Sequence, residues 1–130
     1  MNLLLDTHVV IWWLMDNDKL GRRARNAILR PGAALFISSA TVWEISIKSG
    51  AGRLELGAPA EKCLPAMIEN GFHELPVNFE HALAIRSLPP HHNDPFDRML
   101  IAQAQCEDLT LMTADPAITD YEVRTIDASA

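Results

Sequence analysis

The chain contains few cysteines and no recognisable cysteine motif. Among its 130 residues, Cys63 and Cys106 form no CxxC pair and have no metal-ligand spacing with a histidine. A zinc site built from neighbouring ligands is therefore not indicated. We expect both thiols to be reduced and structural, as is usual in a cytosolic protein.

A basic leader and a long apolar run are also missing. The chain runs directly into Leu3–Leu5, and the apolar stretch that ends at Trp13 is interrupted by Asp6, Thr7 and His8. Signal peptides and membrane spans need longer uninterrupted apolar segments. We therefore expect no membrane association and a cytoplasmic location.

Positive charge is scarce. Eleven lysines and arginines face 17 aspartates and glutamates, which gives a net charge of -6. This balance argues against binding nucleic acid by bulk attraction, although it leaves room for a local basic patch. Arg22, Arg23 and Arg25 form a cluster on one segment. Other basic residues are scattered near the acidic residues described below: Lys48, Arg53, Arg86 and Arg98. We interpret all seven as solvated surface.

The amino-acid composition is that of one globular domain, with 48% hydrophobic and 22% charged residues. Short apolar runs alternate with segments of helical periodicity, and no repeat or linker interrupts them. This order predicts an α/β fold with a central parallel sheet of about four to five short strands flanked by helices. The predicted strands are Asn2–Leu5, Ala34–Ile37, Phe72–Leu75, Leu109–Thr113 and Val123–Ile126.

The predicted helices start at capping residues or prolines. They are Thr7–Met15, Gly21–Leu29, Ala40–Ser49, a segment from Pro59 towards Gly71, Phe79–Ser87 and Pro95–Glu107. Pro65 implies a kink or break in the fourth helix. Asp94 and Asn78 are expected to cap the helices that follow them, and a short helical turn is expected to start at Asp115.

Four acidic residues fall just past a strand or on the helix that follows one: Asp6, Glu44, Asp97 and Asp115. In open parallel sheets, ligands bind at the carboxyl ends of the strands. We therefore expect these acids to gather at one edge of the sheet. Carboxylates that gather in this way favour a divalent metal ion.

Each acid also has a simpler explanation. Asp6, Asp94 and Asp115 suit helix caps, since an aspartate there accepts hydrogen bonds from free backbone amides. Glu44 precedes Lys48 by four residues, which is the favourable order for an exposed ion pair. On a helical wheel, Glu44 falls just beside a broad apolar arc formed by Val42, Trp43, Ile45 and Ile47.

Asp97 is harder to explain in this way, because it starts an inward stripe with Ile101 and Ala104. A carboxylate on that stripe is expected to be partly desolvated. Two carboxylates roughly 4 Å apart repel by about 4 kcal/mol at an effective dielectric constant near 20. Such a cluster either takes up protons or binds a cation, and Mg²⁺ needs only one or two carboxylates.

Aromatic and histidine side chains offer further candidates. His91 and His92 are adjacent in a proline-rich loop and could approach a substrate phosphate or contribute to a metal site. Trp12, Trp13 and Trp43 could stack on bases. Their helical spacing beside valine and isoleucine instead favours the core or a subunit interface.

Four segments, taken in order, resemble PIN domains, most of all toxins of the VapC type. They are Leu3–His8, Val42–Ile45, Asp94–Ala104 and Thr113–Asp115. The Asp94–Ala104 segment, Asp-Pro-Phe-Asp-Arg-Met-Leu-Ile-Ala-Gln-Ala, is the most specific. The resemblance covers essentially the whole chain, so we expect residues 1–130 to form a single PIN domain.

The resemblance implies a metal-dependent endoribonuclease, the toxin of a type II toxin–antitoxin pair. Asp6 and Asp97 would be the principal ligands of Mg²⁺ or Mn²⁺, and Asp115 and Glu44 would complete the catalytic and metal site. Thr113 would orient a carboxylate. The implied partners are an RNA substrate, a VapB-type antitoxin whose tail occupies the acidic groove, and a second copy of the chain in a homodimer.

Two other functions compete with this interpretation. Domains that transfer phosphoryl groups to aspartate also place acids at strand ends, but Asp6 has neither an adjacent acid nor an Asp-x-Asp pattern. A PIN-like scaffold without catalytic activity would be indicated by loss of one of the four acids. None is missing, and the identity of the RNA and of the antitoxin is left open.

Overall fold

The computed structural model describes residues 1–52 and 54–130, so that Arg53 lies outside the described residues. Helices and strands alternate as predicted. The strands are β1 (Asn2–Leu5), β2 (Ala34–Ser38), β3 (His73–Leu75), β4 (Thr110–Thr113) and β5 (Thr125–Asp127). The helices are α1 (Thr7–Leu14), α2 (Arg22–Leu29), α3 (Ser39–Gly50), α4 (Ala60–Glu69), α5 (Phe79–Ala84) and α6 (Pro95–Glu107).

All five strands are parallel and form one sheet in the order β3-β2-β1-β4-β5. This confirms the predicted α/β fold. The apolar β1 lies in the centre, and its successive leucines point to opposite faces of the sheet. Leu3 and Leu5 pack with α1, α2 and α4 on one face, and Leu4 packs with α6 on the other.

The strand order creates a switch point at β1. The chain adds β2 and β3 on one side of β1, and then crosses to place β4 on the other side. Crossover loops therefore diverge at the carboxyl ends of β1 and β4, which opens a crevice there. Asp6 follows β1 and Asp115 follows β4, so the topology itself brings these two acids to the crevice.

Hydrogen bonds from side chains fix the starts of the helices. Asp6, Ser38, Asn78 and Asp94 each accept a backbone N–H of the following first turn. These contacts confirm the predicted caps. The helix α4 continues through Pro65, so of the predicted kink or break the break does not occur.

The buried side of α3 differs from its apolar arc. Ile45 is buried as predicted, whereas Val42, Trp43 and Ile47 are exposed, Trp43 by 64%. Polar residues replace them on the inner side, which consists of Ala40, Thr41, Glu44 and Ile45. The Thr41 hydroxyl lies 3.2 Å from the Thr7 hydroxyl and joins α3 to α1 at the sheet edge.

Both α3 and α5 carry exposed apolar side chains. Phe79 is 89% exposed and Leu83 also faces solvent. The start of α5 lies against α3, because the Val77 N–H donates to the Ser39 hydroxyl at 3.0 Å. We refer to Val42, Trp43, Ile47, Phe79 and Leu83 as the α3–α5 apolar surface. Within the described ranges, every helix is too short or too polar to cross a bilayer.

Candidate metal centre

Asp6 and Asp115 occupy neighbouring strand ends. The Asp6 N–H donates to the Met112 carbonyl at 3.1 Å, which continues the pairing of β1 with β4. Asp6 Oδ1 accepts the Val9 N–H and Asp115 Oδ1 accepts the Ala117 N–H, both at 2.9 Å. One oxygen of each carboxylate thus stabilises its own turn, as the cap explanation requires. The second oxygen of Asp115 contacts His92, and Asp6 also accepts a hydrogen bond from the Thr113 side chain.

Asp97 lies in the first turn of α6. The cap residue Asp94 holds that turn, because its Oδ1 accepts the N–H groups of Phe96 at 2.8 Å and Asp97 at 3.3 Å. Ile101 and Ala104 of the predicted stripe are buried. The Asp97 side chain is 16% exposed, which confirms that it is partly desolvated.

A histidine joins Asp97 and Asp115. His92 Nε2 lies 2.7 Å from Asp115 Oδ2 and 3.0 Å from Asp97 Oδ2. One ligand atom from each of these three residues lies within 4.8 Å of the others. The structure therefore brings His92 into the acidic site. His91 is exposed and contacts the ring of Tyr121 with centroids 5.1 Å apart.

Glu44 is buried, with only 3% of the residue exposed. Its Oε2 lies 2.6 Å from Lys48 Nζ, so the predicted ion pair forms. The pair is not the exposed one that the sequence suggested, since only the lysine reaches solvent. Among the described residues, Oε1 of this glutamate has no hydrogen-bond partner.

Burial and neighbouring charges act together on Asp97. Loss of solvation is the largest effect, and with the charges of Asp94, Asp6 and Glu44 it raises the pKa of Asp97 to about 7, against an opposing effect of His92. Asp94, Asp6 and Glu44 therefore lie close enough to oppose the ionisation of Asp97. A carboxylate in such surroundings gains free energy from a proton or a cation.

The other buried acid, Asp6, shows the same tendency. Burial raises its pKa, hydrogen bonds from the Thr113 side chain and the Val9 N–H and the charge of His8 lower it, and the charge of Asp115 raises it. The Thr113 hydroxyl also accepts the Asp115 N–H at 3.1 Å. Thr113 thus contacts both strand-end acids.

These groups fit a hard divalent cation. Carboxylate oxygens of Asp97 and Asp115 lie within 4.8 Å of each other, and Asp6 follows the neighbouring strand. Glu44 Oε1 is a buried acceptor without a partner among the described residues. Magnesium prefers oxygen ligands and usually takes one or two carboxylates beside water. Burial, with a smaller contribution from neighbouring acids, raises the pKa of Asp97 and of Asp6.

Arg98 is not solvated surface, which corrects the sequence interpretation. Its Nη1 donates to the Pro89 carbonyl at 2.9 Å and to the Tyr121 hydroxyl at 3.2 Å. That hydroxyl donates to the Pro89 carbonyl at 2.8 Å and accepts the His92 N–H at 2.9 Å. Arg98 and Tyr121 thus hold the loop that presents His92. The partners lie far apart in sequence, so no spacing pattern predicted this contact.

Three of the other basic residues agree with the surface interpretation, since Arg22, Arg23 and Arg86 are exposed. Arg25 does not, because besides its pair with Asp16 at 2.9 Å it donates to the carbonyls of Leu20 at 3.1 Å and Asn17 at 2.7 Å. Both cysteines are free thiols, and burial raises the pKa of each, which suits the structural role expected for them.

Sequence comparison places most of the chain in one known family. The sequence model of the PIN domain matches residues 3–123. No curated protein sequence matches the chain significantly.

Solved structures share the fold over nearly the whole chain. One of them is VapBC2 from Rickettsia felis, solved with a DNA fragment from the VapBC2 promoter. It has a TM-score of 0.74 and 13% identity, and 98% of each chain is covered. VapBC-1 from nontypeable Haemophilus influenzae has a TM-score of 0.65 and 22% identity over 100% of both chains. A toxin–antitoxin complex from Klebsiella pneumoniae has a TM-score of 0.55 and 22% identity, covering 87% of this chain and 86% of the other.

Proposed function

The chain belongs to the PIN domain family, and from this membership we propose that it is a metal-dependent endoribonuclease, the toxin of a type II toxin–antitoxin pair. The observation that carries the proposal is the acidic cluster beside the β1–β4 switch point. There, burial and the neighbouring acids raise the pKa of Asp97 to about 7. A site that disfavours its own ionised form is suited to binding a cation.

Asp6 and Asp97 are the proposed principal ligands of Mg²⁺ or Mn²⁺, and Asp115 and Glu44 complete the site. When bound, such an ion lowers the pKa of a water molecule and offsets negative charge on phosphoryl oxygens. The protein contributes fixed positions for the acids. Hydrogen bonds with backbone amides fix Asp6, Asp115 and the first turn of α6, which carries Asp97. The Thr113 hydroxyl contacts Asp6 and Asp115.

The same acids account for a strict need for metal. With a net charge of -6 and a cluster of carboxylates at the crevice, the free protein repels an RNA phosphate. A bound divalent ion would offset part of this negative charge and give the phosphate a positive centre to approach. Cleavage should therefore require Mg²⁺ or Mn²⁺ rather than merely be accelerated by it.

The proposed protein partner is a VapB-type antitoxin. Support comes from the PIN fold that the chain shares with proteins solved as toxin–antitoxin assemblies, among them the Klebsiella pneumoniae complex. An arginine in the antitoxin tail would suit the acidic crevice, because guanidinium groups bind carboxylates through two parallel hydrogen bonds.

A homodimer is the proposed assembly of the toxin itself. The α3–α5 apolar surface supports it, since α3 and α5 each expose large apolar side chains. Exposed apolar surface on a soluble domain commonly marks a protein interface.

The test is cleavage of RNA by purified protein. We expect cleavage with Mg²⁺ or Mn²⁺ and none with excess EDTA. Asp6→Asn or Asp97→Asn should lower the cleavage rate by at least about 100-fold, because even residues that only support metal ligands contribute 10–100-fold. Asp108→Asn is the matched control. It changes the same residue type at the other end of α6, where the left-handed conformation (φ 55°) tolerates asparagine.

Undiminished cleavage by a folded Asp6→Asn, Asp97→Asn double variant would refute the mechanism. Expression in cells supplies the second arm of the test. The wild-type protein should arrest growth and Asp97→Asn should not, and co-expression of the antitoxin should relieve the arrest. A catalytically silent scaffold predicts no cleavage in any of these proteins.

A further inference from the structure

The His92 ring lies between two proposed ligands of the metal. Its Nε2 is 2.7 Å from Asp115 Oδ2 and 3.0 Å from Asp97 Oδ2. The contact with Asp115 is a hydrogen bond, and the contact with Asp97 is a close approach of the same nitrogen. These two oxygens are therefore already engaged by a group of the protein.

A backbone amide determines which nitrogen of His92 carries the proton. The Asp94 N–H donates to Nδ1 at 3.0 Å. An accepting Nδ1 has a lone pair and no hydrogen, so the neutral ring carries its hydrogen on Nε2. The ring thus presents an N–H donor to Asp97 and Asp115, and not the lone pair that a metal ligand needs.

The backbone of the loop is also held. The His92 N–H donates to the Tyr121 hydroxyl at 2.9 Å, and Arg98 Nη1 lies 3.4 Å from the His92 carbonyl. Both Tyr121 and Arg98 also bind the Pro89 carbonyl. The position of the ring is therefore set by the surrounding structure and not by the two carboxylates alone.

We propose that His92 is a positioning residue that competes with the divalent cation for Asp97 and Asp115. An N–H group and a cation cannot occupy the same side of the same two oxygens, so ion binding there requires the His92 ring to give up its hydrogen bond to Asp115 and its close contact with Asp97. The inference rests on the proposed function, because it takes the acids to be metal ligands. His92 would then set the metal concentration at which the centre fills.

Direct ligation by His92 conflicts with the same contacts. It requires a lone pair on Nε2, which moves the hydrogen to Nδ1 and turns it towards the Asp94 N–H. Two donors would then face each other. The observed loop geometry therefore favours competition over ligation.

The experiment is a calorimetric titration of Mn²⁺ into the purified full chain, without RNA. His92→Ala removes the competing donor, and we expect roughly tenfold tighter binding, the effect of one net hydrogen bond to a charged group. His92→Gln restores a side-chain N–H and should return the affinity towards the wild-type value. His91→Ala is the matched control in the same loop and should leave the affinity unchanged.

Opposite results would overturn the inference. Weaker Mn²⁺ binding by His92→Ala would show direct ligation, and equal affinity in wild type, His92→Ala and His92→Gln would show a purely structural role. In both cases the wild type still binds the ion, so the proposed function survives. Absence of binding in the wild type and all variants would refute both proposals.

A second variant covers the case in which His92→Ala does not fold. Tyr121→Phe keeps the buried ring and removes only the hydroxyl that accepts the His92 N–H. Binding of Mn²⁺ should tighten in the same direction by a smaller factor. Unchanged or weaker binding by folded Tyr121→Phe would count against the competition.

Discussion

The two carboxylate oxygens of Glu44 have different surroundings. Oε2 binds Lys48, whereas Oε1 is buried and has no partner among the described residues. A buried acceptor without a hydrogen bond costs about 1–3 kcal/mol, and more when it is charged. Binding of a cation would remove this cost. A role of Glu44 in the ion pair alone and a role in a metal site therefore predict different effects of its replacement on RNA cleavage.

We expect Glu44→Gln to lower RNA cleavage by about 10–100-fold, as for other groups that complete a metal site. The fold should survive, because the neutral amide has nearly the same shape and no charge to bury. Circular dichroism and thermal unfolding in EDTA check the fold beside the cleavage assay.

Lys48→Gln is the control for this prediction, since it removes the ion pair and leaves the Glu44 carboxylate in place. It should cleave RNA within about threefold of the wild-type rate, as expected for a half-exposed partner. Wild-type cleavage by both variants would assign Glu44 to the ion pair alone.

At the scale of structural elements, the loop before α6 depends on one arginine. Besides Pro89 and Tyr121, the Arg98 guanidinium approaches the carbonyls of Ile85 and Leu88 at 3.3 and 3.4 Å. A planar group with five donors can serve several acceptors at once, and a lysine ammonium cannot match that arrangement. The 3₁₀ turn at Ile85–Ser87, the loop and α6 are thereby joined.

Arg98→Lys should therefore lower the free energy of unfolding by about 1–3 kcal/mol, the cost of leaving partly buried acceptors unsatisfied. Urea denaturation measures the change. Arg124→Lys is the matched control, because Arg124 pairs with Asp108 in solvent and should change stability by less than about 0.5 kcal/mol. Equal stability of the two variants would contradict the role assigned to Arg98.

The sequence predicts elements better than it predicts their faces. Alternation of apolar runs and caps locates the five strands and α6, and the Asp97 stripe correctly points inward. The inner face of α3 is missed, because periodicity measures apolarity while this helix buries Thr41 and Glu44 and exposes Trp43. The prolines before α6 predict an irregular loop, but the place of His92 depends on a tyrosine 29 residues away.

For the whole molecule, the α3–α5 apolar surface is the feature that a monomer does not explain. Trp43 packs edge-on against Phe96 at 5.2 Å and still exposes most of its surface. Phe79 and Leu83 are spaced for one side of α5. An interface of two copies would bury these side chains and remove them from water.

We expect the wild type to be a dimer in solution and Phe79→Glu to shift it to monomer, with at least about a tenfold weaker dimer, because a charge cannot be buried without cost. Glutamate suits the first turn of a helix, so α5 should persist. Light scattering after size exclusion gives the mass. Leu29→Glu is the control, a 67% exposed leucine on α2 whose replacement should leave the dimer intact.

A wild-type monomer at micromolar concentration would contradict the dimer outright. An unchanged dimer in Phe79→Glu would place the contact on another face of the molecule. Dissociation by Leu29→Glu alone would assign it to α2.

The central position of β1 also determines when the site can exist during synthesis. Asp6 is made almost at once, but its neighbour in the crevice, Asp115, follows β4, the penultimate strand. Parallel pairing of strands so distant in sequence is slow and must await the later segment. If the proposed function holds, a chain whose synthesis stops before β4 lacks Asp115 and cannot complete the proposed metal site.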